Sequence, residues 1–142
     1  PKIHSIKLKD VDTVPTLNLR RADWDKIHKS VHRTKERLII YLLYFGGLRL
    51  SELSHLRVSD FDSKDQSLRF VRKGGYVHHL RPQKAELIFG QLEYFLTHRK
   101  VESEFLFAVK SGKRIGTKAM YNLIMKIFLI ILSFYVCHKN LR

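Results

Sequence analysis

The chain has 142 residues, a length that fits one domain and excludes a second large one. Its 27 lysines and arginines outnumber 13 aspartates and glutamates, so the formal net charge is +14. Such an excess predicts a polyanionic partner, either a nucleic acid or an anionic membrane surface. Hydrophobic residues make up 44% of the chain, which excludes a disordered basic tail and predicts a folded core.

The sequence indicates a cytoplasmic protein without a bound metal. The single cysteine, Cys137, cannot form an internal disulfide, and no Cys/His spacing is typical of zinc ligands. The N-terminal segment lacks the apolar core of a signal peptide. The longest apolar stretch, residues 123–137, is interrupted by Lys126 and Ser133 and is short for a membrane span, so it predicts buried helix.

The first predicted elements are an arm and two helices. Residues 1–15 are interpreted as an N-terminal arm or linker, and residues 16–142 as the domain. Trp24, Ile27 and Val31 are spaced for one face of a short helix. A strongly apolar helix follows, with Thr34 as its predicted N-cap and the pair of glycines at 46 and 47 as its end.

A third, shorter helix is predicted from Leu50, Leu53 and Leu56, which recur every three residues. Ser51 is its predicted N-cap, and Asp60 closes it in a polar turn.

A β-hairpin is predicted next, because the spacing of the apolar residues changes to every second position. Residues 67–73 and 76–82 alternate apolar with polar or basic side chains around two glycines, which predicts a β-hairpin ended by Pro82.

The last third of the chain predicts two more helices. An amphipathic helix runs to about Arg99, and a short strand follows at residues 104–109. The final helical region begins near Thr117 and has an apolar side made of Met120, Leu123, Ile124, Ile127 and Ile131. Together, these elements predict an α+β fold, mainly α, with a small three-stranded antiparallel sheet.

Two segments carry a family resemblance. Residues 46–62, GGLRLSELSHLRVSDFD, resemble the first conserved box of the tyrosine recombinase or phage integrase family, in which a TGLRxSEL stretch supplies the first catalytic arginine. That arginine corresponds to Arg49. The segment RFVRKGGYVHHLRP resembles the family's hairpin pattern, GKGxKxRxVP, and places Lys73 at the catalytic lysine. The run from 73 to 82 is one residue longer than that pattern.

The C-terminal segment CHKNLR resembles the family's HxLR box and implies Arg142 as the second catalytic arginine. Lys139 lies three residues before it and His138 four, so both are candidates for the assisting residue. Tyr121 and Tyr135 precede this box and match no nucleophile. The resemblance therefore implies an incomplete catalytic domain over residues 16–142 that binds DNA without cleaving it.

The chemistry of phosphodiester attack fits these residue types. Two guanidinium groups, from Arg49 and Arg142, can hold the non-bridging oxygens bidentately, and Lys73 can protonate the leaving 5′-hydroxyl. Glu52 is expected to orient Arg49 through an ion pair. The expected DNA contacts are Arg72, His78, His79, Arg81, Lys113 and Arg114. Phosphate contacts are also expected more widely over a basic face, from Lys26, Lys29, Arg33, Lys35, Arg37, Arg57 and Lys110.

The resemblance implies DNA breakage and rejoining through a 3′-phosphotyrosine in the complete enzyme, without a cofactor. The expected partners are double-stranded DNA and a second copy or a full-length recombinase, with residues 123–136 as the self-association region. One alternative is a non-enzymatic DNA-binding remnant or regulator of a recombinase. Another is a basic peripheral membrane protein that uses the apolar residues 127–136.

Overall fold

The computed structural model describes residues 21–72 and 74–140, with side chains for residues 22–72 and 74–133. The predicted arm, residues 1–15, lies outside this range. Five helices and three strands follow one another in the described chain. They are α1 (Arg21–Ser30), α2 (Thr34–Tyr44), α3 (Leu50–His55), β1 (Phe61–Asp62), β2 (Ser67–Arg72), β3 (Tyr76–Leu80), α4 (Ala85–His98) and α5 (Thr117–Asn140).

The predicted helices are confirmed, but two predicted N-caps are wrong. Thr34 is the first residue of α2, and the extended residue before it, Arg33, occupies the N-cap position. Ser51 lies inside α3, whose N-cap is Arg49. The Glu52 carboxylate accepts the Arg49 backbone N–H at 2.9 Å, so the capping partner comes from within the helix.

The mainly helical fold with a three-stranded antiparallel sheet is confirmed, and its strand order is β1-β2-β3. The hairpin is the predicted one, with Arg72 paired to Tyr76 across the turn. The third strand differs from the prediction. It is the two-residue β1, whereas residues 104–109 make only isolated bridges, between Arg57 and Phe105 and between Ala108 and Arg114.

Backbone hydrogen bonds explain this difference. The Val58 N–H donates to the Glu104 carbonyl and the Leu106 N–H donates to the Leu56 carbonyl, so residues 104–106 bind the connection after α3. Leu106 and Phe107 are 0% and 1% exposed. Their burial against the helices satisfies the apolar pattern of this segment without adding it to the sheet.

One hydrophobic core joins the helices and the inner face of β2. Helix α2 is buried on most sides, as its apolar composition predicts. Helix α5 packs through Met120, Ile124, Ile127 and Ile131, which recur with helical spacing and are all buried. Leu123, predicted for the same face, is half-buried. Helix α5 packs on α1 and α3, so both ends of the described part of the chain meet in this core.

An aromatic cluster attaches α1 to α2. Trp24 stacks on Phe45 with ring centroids 4.8 Å apart and an interplanar angle of 18°. The Tyr41 hydroxyl and His28 Nε2 are 2.7 Å apart. Arg37 donates from Nη2 to the His28 carbonyl and from Nε to the Val31 carbonyl, both at 2.7 Å, and so satisfies acceptors at the end of α1. Burial, and then the charge of Arg37, lower the pKa of His28 below 6.5.

None of the helices in the described part of the chain combines the length and the hydropathy that a membrane-crossing segment requires.

Candidate functional site

The two segments that carry the family resemblance meet at the carboxylate of Glu52. Its Oε1 accepts the Arg49 backbone N–H at 2.9 Å, at the start of α3. Its Oε2 accepts the Arg72 Nε–H at 3.0 Å, at the end of β2. One carboxylate thus joins the arginine box to the hairpin across 20 residues of sequence.

This carboxylate is buried, since the Glu52 side chain is 4% exposed and that of Arg72 is 34% exposed. A buried carboxylate is stable only when charged donors or N–H groups compensate its lost hydration, and these two donors supply that compensation. The Arg72 guanidinium carbon also lies 5.2 Å from the centroid of the Phe70 ring. Arg72, an expected DNA contact, is thus engaged with Glu52 and Phe70, and its contact with DNA stays a prediction.

The guanidinium of Arg49 has no partner among the described residues. Arg49 is an exposed residue, and its side chain makes no hydrogen bond or ion pair among the described residues. The expected ion pair between Glu52 and this guanidinium does not form there. Glu52 instead holds the Arg49 backbone, which fixes the point from which the side chain leaves α3.

The other predicted catalytic residues cannot be compared with Arg49. Lys73 and Arg142 lie outside the described residues, and so do the side chains of His138 and Lys139. Lys73 follows the engaged Arg72 directly in sequence. The convergence of Arg49, Lys73 and Arg142 on one phosphate stays a prediction.

The predicted DNA contacts on β3 lie on an exposed surface. His78 is stacked on Phe70, with centroids 5.7 Å apart and an interplanar angle of 16°. His79 pairs with Arg69 in the sheet register, and its side chain is exposed. Arg81 lies 3.4 Å from Asp65 in an ion pair with both side chains open to solvent, so it can exchange this partner for a phosphate.

A third segment, the turn before α5, also contacts α3. Arg114 Nη1 donates to the Ser54 hydroxyl at 3.3 Å and to the Ile115 carbonyl at 3.0 Å. Ser54 is 1% exposed, and sequence reasoning missed it because an isolated serine in a helix carries no signal of a distant partner. Lys113, next to Arg114, is exposed. Only Lys113 of this pair keeps its charged group fully open to solvent.

Two residues of the wider basic set also have internal acceptors. Arg37 is held by carbonyls at the end of α1. Arg57 lies 3.7 Å from Glu104 and over the Phe105 ring at 5.3 Å, on the surface. Among the described residues, no cluster of three His, Cys, Asp or Glu side chains can hold a metal ion. The predicted absence of a cofactor stays a prediction.

Comparison with known proteins identifies the family to which the chain belongs. The model of the phage integrase family matches residues 18–129, so the chain belongs to this family. The match includes Arg49 and the whole hairpin. The HxLR-like residues 138–142 lie beyond it.

Two curated relatives are tyrosine recombinases named XerA. The one from Pyrococcus horikoshii is 33% identical over 113 residues, which are 77% of this chain and 39% of the relative. The one from Thermococcus onnurineus is 36% identical over 115 residues, which are 77% of this chain and 40% of the relative. The chain therefore spans about two fifths of the length of these relatives.

Two solved structures share the fold. A crystal structure of XerA recombinase superposes with a TM-score of 0.66 at 17% identity, over 83% of this chain and 44% of that chain. A lambda integrase dimer bound to a COC′ core site superposes with a TM-score of 0.57 at 15% identity, over 84% of this chain and 45% of that chain. At these identities the likeness establishes the fold, which is that of tyrosine recombinase catalytic domains.

Proposed function

We propose that residues 16–142 belong to the catalytic domain of a site-specific tyrosine recombinase, and that Arg49 binds the scissile phosphate of a DNA duplex. The observation that carries this proposal is the shared carboxylate of Glu52. It anchors the backbone of Arg49 and the residue before Lys73, while the Arg49 guanidinium has no partner among the described residues. This arrangement supports a phosphate position between α3 and the hairpin.

In the proposed reaction the family's tyrosine attacks phosphorus, a 3′-phosphotyrosine forms, and the bond to the 5′-oxygen breaks. Arg49 and Arg142 hold the non-bridging oxygens, where negative charge grows in the transition state. Lys73 donates its proton to the leaving 5′-oxygen. His138 or Lys139 assists at the same phosphate. Bidentate guanidinium contacts favour arginine over lysine at position 49.

A segment exchange tests this function. Residues 18–129 replace the matching segment of XerA from Pyrococcus horikoshii, and the chimera is incubated with a suicide duplex carrying that enzyme's recombination site. We expect a covalent protein–DNA adduct, and we expect Arg49→Lys in the chimera to lower its yield by at least about 100-fold, since one bidentate contact in the transition state is worth several kcal/mol.

Lys64→Gln is the matched control, because it removes a cation from the exposed turn between β1 and β2 and should leave the yield unchanged. Circular dichroism and duplex binding confirm that each chimera is folded. A folded chimera that binds DNA and forms no adduct would contradict the assignment of Arg49 and Lys73. It would favour the non-enzymatic DNA-binding alternative.

We propose a second copy of the chain as a further partner. Helix α5 leaves an apolar stripe exposed, and Leu129 and Leu132 in it are 63% and 58% exposed. Exposed apolar stripes of this kind are typical of interaction surfaces. Sedimentation velocity should detect a concentration-dependent dimer that Leu129→Lys abolishes. A monomer at high concentration would contradict this partner. The predicted cytoplasmic location stays a prediction.

A further inference from the structure

A basic cleft lies between the start of α2 and the end of α4, with a volume of about 700 Å³. Phe95, Val101 and Leu106 form part of its apolar wall. Six basic side chains line it, and no carboxylate does among the described residues. They are His32, Arg33, Lys35, His98, Arg99 and Lys100.

Two of these six basic residues have internal partners. Arg99 donates to the carbonyls of Ser103, Phe105 and Leu106 and so builds the wall of the cleft. His98 Nδ1 lies 2.9 Å from the Tyr94 carbonyl oxygen. The side chains of His32, Arg33, Lys35 and Lys100 make no hydrogen bond or ion pair within the described chain.

Of these four residues, His32, Arg33 and Lys100 are exposed, and Lys35 is partly buried. Lys35 is half-buried, and loss of hydration lowers its pKa, opposed only by the charge of the neighbouring Glu36. A partly desolvated cation beside other cations gains free energy when an anion enters the cleft. No carboxylate of the described residues lines the cleft to provide this anion.

The volume and the lining of the cleft indicate which class of anion it can bind. Its volume is within the range of about 300–1,000 Å³ that is usual for small-ligand sites. An apolar wall beside cations suits a ligand that carries both a flat ring and a phosphate. His98, exposed on the cleft, is stacked on Tyr94 with centroids 4.1 Å apart, which presents a further aromatic surface. Proteins that bind single strands combine these two features.

We propose that this cleft binds nucleotides of a single-stranded nucleic acid, with Arg33 and Lys100 on the phosphates and the apolar wall against a base. The site is separate from the one at Arg49. The 11 residues of α2 lie between the two, a length of about 16 Å at 1.5 Å per residue. The proposal uses none of the residues assigned to strand cleavage.

Fluorescence anisotropy with a labelled oligothymidylate of about eight nucleotides tests the cleft, since this is within the usual site size for single strands. We expect the double variant Arg33→Gln/Lys100→Gln to bind about ten-fold more weakly, because two phosphate contacts are lost. The slope of log affinity against log salt should become shallower by about 1.4, or about 0.7 for each lost contact.

The matched control, Lys64→Gln/Lys84→Gln, removes the same charge from two exposed positions outside the cleft. Equal weakening by the two double variants would overturn the proposal, because it would show a general charge effect. Amide shifts on titration with the oligonucleotide should concentrate at residues 32–35 and 98–101. Shifts confined to α3 and the hairpin would also overturn it.

The two proposals fail in distinguishable ways. The recombinase assignment is tested by adduct formation in the chimera, whereas the cleft is tested by oligothymidylate binding to the chain itself. If the chimera forms no adduct while the cleft variants bind oligothymidylate as expected, only the recombinase assignment is contradicted. A chimera that forms the adduct while both double variants weaken equally contradicts only the cleft.

Discussion

Glu52 shows how one side chain can hold a site together without touching a substrate. Its carboxylate binds a backbone N–H of Arg49 and the guanidinium of Arg72. Because it is buried, its energy depends on both donors being present. The start of α3 and the end of β2 are thus coupled through one residue, and Glu52 is a positioning residue in the proposed reaction.

Replacing Arg72 should reveal the strength of this coupling. Arg72→Gln leaves the buried Glu52 carboxylate without its charged donor, and we expect the free energy of unfolding to fall by about 1–2 kcal/mol. The lower part of the range for buried pairs applies because the Arg72 side chain is 34% exposed. Urea denaturation measures the loss.

Arg81→Gln is its control, since the ion pair of Arg81 with Asp65 has side chains 72% and 66% exposed. Such pairs contribute less than about 1 kcal/mol. Equal losses from the two substitutions would show that the buried carboxylate has another compensating partner.

His28 should make stability depend on pH. Its folded-state pKa is lowered from 6.5 by burial and by Arg37, so the unfolded chain takes up this proton first as the pH falls. The stability that the neutral His28 contributes to the folded protein is present above the pKa of the unfolded chain. This stability is lost as the pH drops below about 6.5.

The measurement compares unfolding free energies at about pH 7.5 and about pH 5 in the parent and in His28→Gln. The parent should lose more stability over this interval, because the variant has no group that titrates at this position. The same pH dependence in both proteins would disprove the role of His28.

At the scale of elements, α5 has two faces with different roles. Met120, Ile124, Ile127 and Ile131 are buried in the core, while Leu129 and Leu132 are exposed. The helical period of 3.6 residues separates these sets around the axis. The buried face holds the helix on the domain, so the exposed face is free to contact another molecule.

Replacing one side chain on each face of α5 by alanine should distinguish the two roles. Ile127 is 1% exposed, and Ile127→Ala should lower the free energy of unfolding by about 2–5 kcal/mol through lost burial and a cavity. Leu129→Ala, at a residue 63% exposed, should change it by less than about 0.5 kcal/mol at protein concentrations where the chain is monomeric. Thermal and urea unfolding measure both, and a large loss from Leu129→Ala would mean that the exposed face is covered.

At the scale of the whole molecule, we expect the net charge of +14 to govern the proposed association with DNA. Arginines at positions 37, 72 and 99 are engaged inside the protein, so the charge available to phosphates is smaller than the composition alone indicates. The exposed cations that remain include those at Arg49, on the hairpin and in the cleft.

Duplex binding should therefore depend steeply on salt. We expect log affinity to fall linearly with log salt, with a slope of about −0.9 for each neutralised phosphate and at least three contacts in total. Arg49→Gln should make the slope shallower by about 0.9, whereas Arg49→Lys should preserve it because the charge remains. Anisotropy titrations measure both, and an unchanged slope in Arg49→Gln would show that Arg49 contacts no phosphate.

The amino-acid sequence by itself determined the local elements and the family. Alternation around two glycines predicted the hairpin, helical spacing predicted the buried face of α5, and the arginine box predicted the position of Arg49. These features are local, since period, caps and turn residues act over a few positions. Even so, residues 104–109 showed strand-like composition, and only their backbone partners decided against a strand.

Only the tertiary structure decided which charges are structural. Glu52 pairs with Arg72, Ser54 with Arg114, and Arg99 with carbonyls of the next loop, while Arg33 and Lys100 face an open cleft. Charged side chains look alike in sequence, because their role depends on which acceptor lies within about 3 Å. That distance is set by packing between segments far apart in the chain, so no local pattern could encode it.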